Sequence, residues 1–219
     1  MIDVLYEDNH LLIIDKPANI PVQADSSKDK DLLSLCKDYL KEKYNKPGNV
    51  YLGLIHRLDR MTSGVIVFGK TSKASSRLSQ QVRTNKMSKK YKAIICGKLQ
   101  KSGILKDYLL KDSKTNISKV VKKGTPGSKE AILEYKIIDN NNDFSLVDIT
   151  LLTGRSHQIR VQFSNLGYPL LGDIKYNKVN TSKVPLKLVA YQLSFYHPIT
   201  NELLTFNSKY DLIIKNKRL

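Results

Sequence analysis

The chain has 219 residues, 41% hydrophobic and 26% charged, which suits one sizeable core with room for two lobes and no need of a second domain. Its apolar runs, such as 11–14 and 65–68, are too short to cross a bilayer. Acids at the very start rule against a secretory signal, and two cysteines, Cys36 and Cys96, make neither a disulfide framework nor a metal site. What remains is a cytoplasmic protein with a net charge of +17, a field that attracts phosphate and hence nucleic acid.

In chain order, 4–6 and 11–15 read as short strands, the second stopped by Pro17. Apolar residues at helical spacing predict an amphipathic helix over 31–44, ended by Pro47 and Gly48. Strand, loop and strand follow over 51–69. Thr71 or Ser72 then caps a helix through about Thr84 with Ala74, Leu78 and Val82 on one face. The stretches 88–112 and 117–123 are strand-like, interrupted by Gly97 and Gly103, and the lysine-rich 113–129 reads as a basic hairpin or loop. A hairpin spans 130–152 around Asn140, Asn141 and Asn142. Ile159, Phe163 and Leu166 make a helical stripe stopped by Gly167, and 186–206 close the chain as a hairpin turning near Pro198. Many antiparallel strands with a few helices define an α+β domain.

Two stretches concentrate the chemistry. His56-Arg57-Leu58-Asp59-Arg60-Met61-Thr62-Ser63-Gly64 holds a carboxylate between two arginines on a short turn linking apolar strands. Thr153-Gly154-Arg155-Ser156-His157-Gln158-Ile159-Arg160 supplies further cations. Only 7 of the 37 basic residues are arginine, and four of the seven lie in these stretches, where a planar bidentate donor is useful. An aspartate so placed either bonds its own turn or stays ionised as a nucleophile or base.

These residues resemble the RluA family of RNA pseudouridine synthases, whose signature around the catalytic aspartate matches 56–64. The resemblance extends to the opening segment with its Lys16-Pro17 pair, to Lys89-Lys90-Tyr91-Lys92-Ala93, to 153–161 and 167–176, and to 188–198. It implies the pseudouridine synthase fold, a predominantly antiparallel mixed sheet with flanking helices and a central active-site cleft. The whole chain, 1–219, then forms a single catalytic domain without an N-terminal accessory RNA-binding module. Asp59 would be the catalytic aspartate and Arg57 the side chain entering the space left by the flipped uridine. Tyr91 would stack on the uracil, Arg160 would pair with Asp59, and Leu188 would lie under the target base. His56, Thr62, Arg155 and His157 are further substrate-side candidates. Lys86, Lys89, Lys90 and Lys92, with the loop lysines Lys119, Lys122, Lys123 and Lys129, are candidates for following the RNA backbone.

The chemistry implied is isomerisation of uridine in ribosomal or transfer RNA, with no metal or other cofactor and a monomer as the default state. The carboxylate either attacks the anomeric carbon or removes a neighbouring sugar proton. Three departures from the family pattern stand out: Asn19 where glycine is common, tolerable because asparagine accepts a left-handed backbone, Gln23 in place of a frequent histidine, and Val189 in place of another. Competing readings are a non-catalytic basic RNA-binding or ribosome-assembly factor with the same fold, and a glycoside hydrolase. The hydrolase would need a second carboxylate beside Asp59, which only distant acids such as Asp148 or Asp173 could supply. A metal-dependent nuclease would need an acidic cluster that the sequence lacks.

Overall fold

The computed structural model describes residues 2–25, 29–177 and 184–214. The chain divides into two compact units, Met1–Ser88 with Ala190–Tyr210, and Lys89–Val189 with Asp211–Leu219.

The first unit contains β1 (Val4–Glu7), β2 (Leu11–Lys16), α1 (Leu32–Lys43), β3 (Gly53–Leu54), β4 (Ser63–Gly69) and α2 (Ser72–Arg83). It takes in most of β10 (Leu188–Tyr196) and all of β11 (Leu203–Asn207). Its strands run in the order β1-β2-β4-β10, with β3 on β4 and β11 on β10. β2 and β4 are buried along their whole lengths, so their apolar runs do not alternate. Leu11, Ile13, Val65, Val67, Leu78, Met87, Leu193 and Phe195 form its core.

Both helices start where the sequence predicts. Asp31 accepts from the amide of Ser34, and Thr71 Oγ1 accepts from that of Ala74, each satisfying one otherwise unpaired first-turn donor. The apolar run 51–55 yields only a two-residue strand, β3, because beyond Leu54 its place beside β4 is taken by a side chain, that of His56.

The second unit is an antiparallel sheet of longer strands: β5 (Ser88–Cys96), β6 (Gly103–Asp112), β7 (Ile117–Val121), β8 (Lys129–Asn140) and β9 (Phe144–Leu151), in the order β5-β9-β8-β6-β7. The stretch 113–129 is therefore a strand flanked by two turns, with Lys119, Lys122, Lys123 and Lys129 exposed. Its helix, α3 (Gln158–Asn165), packs beside β6 and β7 with residues 158–163 all buried. Gly167, at φ 90°, ends it as expected, whereas Leu166 is exposed and lies outside the core. Buried polar residues close the helix surface instead: Gln162 Nε2 donates to Asp107 Oδ2 at 2.7 Å and to the Ala131 carbonyl at 3.3 Å. No helix among the described residues is long and apolar enough to cross a membrane.

Candidate active site

In the first unit the loop 55–62 carries Asp59 between β3 and β4. Leu58 is buried and anchors the loop, leaving Arg57 exposed and Asp59 partly exposed on either side of it. The Thr62 amide donates to the Asp59 carbonyl at 3.0 Å, closing the turn, and His56 Nε2 accepts from the Val67 amide at 3.3 Å. Thr62 is buried, and its hydroxyl has no hydrogen-bond partner among the described residues. Gly64, at φ 124°, ends the loop where an added Cβ would lie 2.1 Å from the Ala190 carbonyl oxygen. Only glycine allows β4 and β10 to approach this closely in that conformation.

Beneath the loop lies a residue that the site expectations left out. Lys16 is wholly buried at the end of β2, and its ammonium donates to the carbonyls of Pro17, Ile20 and Arg60 at 2.9, 2.9 and 3.1 Å. The Asn19 amide donates to the same Arg60 carbonyl at 2.8 Å, and Asn19 adopts the left-handed backbone, φ 70°, that its substitution for glycine requires. Burial pushes the Lys16 ammonium down to about 7; the Asp59 carboxylate acts against this and Arg60 adds to it. Lys16 is thus an amine fixed under the loop by three carbonyls and in electrostatic contact with Asp59. Arg60, expected to flank Asp59, extends its guanidinium to Asp29. A lysine closing the otherwise apolar run Leu11-Leu12-Ile13-Ile14, directly before a proline, was the signal in the sequence.

In the second unit, β5 carries Tyr91, buried, opposite Ile149 of β9. Strict alternation along β5 puts Lys89 on Tyr91's face and Lys90 and Lys92 on the other, where Lys92 pairs with Asp211 at 2.6 Å. Lys86, the remaining backbone candidate, is exposed in the first unit, after α2. Leu188 is buried at the start of β10.

α3 carries Arg160, 4% exposed, and its charge is met by Asp173, 1% exposed: Nε and Nη2 donate to the two carboxylate oxygens, both at 2.7 Å. The amides of Lys175 and Tyr176 donate to the same carboxylate at 3.0 and 3.1 Å, so the buried acid is bonded on every side. The Tyr176 ring lies 5.2 Å from the Arg160 guanidinium carbon, and its hydroxyl meets His157 Nδ1 and the Ser118 amide, both at 2.8 Å. His157 sits at φ 54° as the residue preceding α3, so it braces Tyr176 within this network. Arg155 is exposed, with Nε donating to the Glu130 carbonyl at 2.8 Å. Asp173 figured in the sequence only as a remote acid; the Gly172-Asp173 turn that presents it is not separable there from any surface turn.

The first unit thus holds a partly exposed carboxylate on a loop tied down by a buried lysine, and the second a buried strand tyrosine and a rigidly held arginine. Comparison with known proteins defines the class. Residues 10–165 match the model of the RNA pseudouridylate synthase family, and the chain belongs to that family of RNA-modifying isomerases. It is similar to the ribosomal large subunit pseudouridine synthase C of Buchnera aphidicola subsp. Baizongia pistaciae, with 34% identity over 97% of this chain and 68% of the relative. It also resembles the dual-specificity RNA pseudouridine synthase RluA of Haemophilus influenzae, with 32% identity over 96% of this chain and 94% of that one. Human RNA pseudouridylate synthase domain containing 4 shares the fold, with TM-score 0.80 at 24% identity over 95% of this chain and 88% of that one.

Proposed function

We propose that this chain converts uridine to pseudouridine in large-subunit ribosomal RNA, with Asp59 as the catalytic carboxylate. The observation that carries this is the support beneath Asp59, a loop fixed through the Arg60 carbonyl by a buried ammonium. A carboxylate mounted in this way is held aimed without solvent rearrangement. The target base leaves the RNA stack at a cost of a few kcal/mol. Tyr91 offers a stacking partner, Leu188 packs under the base, and the exposed Arg57 takes the vacated place.

The glycosidic bond from C1′ to N1 then breaks, assisted by Asp59 either as nucleophile at C1′ or as base at C2′. The uracil turns and C5 bonds to C1′ as Asp59 either leaves C1′ or returns the proton to C2′; the hydrogen on C5 passes to water, and N1 takes up a proton. In the second unit Asp173 holds the Arg160 guanidinium through two hydrogen bonds, which keeps this cation rigid. Relatives that act on the large ribosomal subunit support the ribosomal target, and the chain works as a monomer in the cytoplasm.

Loss of the C5 hydrogen is directly measurable. With 5-tritiated uridine in large-subunit ribosomal RNA, the protein releases tritium to water, and does so more slowly from transfer RNA. No release from either substrate would favour a basic RNA-binding factor of the same fold, and faster release from transfer RNA would overturn the choice of target.

A further inference from the structure

One pair of cations on Tyr91's side of the second unit's sheet has no counter-charge. Lys89 is only partly exposed, yet among the described residues it makes no hydrogen bond and no ion pair. Its ammonium lies beside the Gly154 backbone, 3.5 Å from where a Cβ would stand. Burial and the neighbouring Arg155 together pull the Lys89 ammonium below the ordinary lysine range.

Arg155 is mounted rigidly. Its amide donates to Gln158 Oε1 at 3.0 Å, which also accepts from Thr153 Oγ1 at 2.8 Å, and Gln158 Nε2 ties the turn to the Ile132 carbonyl at 3.1 Å. With Nε given to the Glu130 carbonyl, the two Nη groups have no partner among the described residues. The Glu130 carboxylate itself is taken by Lys106 at 3.2 Å and Tyr108 at 3.4 Å.

Two like charges in a partly desolvated place, one fixed by hydrogen bonds to Gln158 and Glu130, repel each other until an anion lies between them. A tetrahedral oxyanion can accept from both an ammonium and a guanidinium edge. The position also suits a strand of RNA: Lys89 is two residues from Tyr91 on the same face, about 7 Å along β5.

We propose that Lys89 and Arg155 together seat one backbone phosphate of the single-stranded RNA next to the nucleotide that Tyr91 receives. The proposal rests on the functional reading above for Tyr91's role but is tested by binding alone, without turnover. A uridine-containing single-stranded oligoribonucleotide is titrated with the full chain at several potassium chloride concentrations, following fluorescence anisotropy.

For one phosphate shared by two cations, Lys89→Met with Arg155→Met in the same chain flattens the slope of log K against log salt by about 0.7. Affinity at about 0.1 M salt falls roughly tenfold. Lys89→Arg, which keeps the charge, retains the wild-type slope. An unchanged slope in the double variant overturns the seat, whatever the affinity does, since it would mean that the side chains act by packing. A loss of about 1.4 overturns the sharing, because it would mean two separate phosphates. If the double variant fails to fold by circular dichroism, Lys89→Gln with Arg155→Gln, which keeps polar side chains at both positions, carries the same slope test. Failure of tritium release by the wild-type protein would remove the catalytic reading while leaving these slopes to be judged by themselves.

Discussion

At the scale of single residues, the site depends on two buried charges that look unremarkable in the sequence. Lys16 ends an apolar strand and would pass for a strand-end lysine, yet it is wholly buried and holds three carbonyls. Its ammonium falls from the ordinary 10.5 to about 7 on folding, so between these values the unfolded chain binds the proton and the folded chain does not. Stability from this residue therefore rises with pH across that window, by up to about 1.4 kcal/mol per unit, and is least below it. Urea midpoints of wild type and Lys16→Met should diverge in the wild type's favour from pH 7 to pH 9; parallel curves would contradict the buried, depressed ammonium. Arg160 reads as a helix-surface cation for a similar reason, since nothing local reveals that Asp173 comes to meet it thirteen residues later. Asp173→Ala leaves a guanidinium buried without its acid and should cost about 3–5 kcal/mol, measured by denaturant unfolding. A loss below 1 kcal/mol would mean that the pair is not buried as described.

At the scale of elements, most of the chain was legible because caps, periodicity and turn residues agree with the tertiary structure. Asp31 and Thr71 mark their helices, Gly167 ends α3, and the strand runs fall where β-rich composition puts them. The misses share a cause, namely polar side chains substituting for backbone or apolar partners. His56 replaces the end of β3, and Gln162 with Arg160 replaces an apolar face on α3. The same device pins α1 to β1. Glu7 accepts from Lys43 and Lys70, each at 2.7 Å, and from Tyr39 and Tyr44 at 2.9 and 2.6 Å. Burial alone would raise its carboxyl, but these four donors outweigh that and bring it from 4.5 down to about 2. Its contribution is therefore present above pH 4.5 and disappears as pH falls toward 2. Because Lys43 is substantially exposed, we expect Glu7→Gln to cost only about 2 kcal/mol at pH 7, with the gap closing near pH 2. A gap independent of pH would assign the loss to packing rather than charge.

At the scale of the whole molecule, the net charge of +17 and the order of the motifs pointed to RNA and to the family before any geometry was known. What they could not supply was the support of each site residue: which lysine lies under the aspartate loop, which acid holds the arginine, and which of the lysines near Tyr91 share its face. Those follow from burial and from the pleat of β5, which one sequence does not display. All of them serve one claim, that a single carboxylate carries the isomerisation. The most direct test replaces Asp59 by alanine and, separately, by asparagine, and measures pseudouridine formed in a single turnover alongside RNA affinity. Both variants should bind RNA within about threefold of wild type, because phosphate contacts supply most of the affinity, and form no product. Pseudouridine formed by either variant at a rate near that of the wild type would contradict the account.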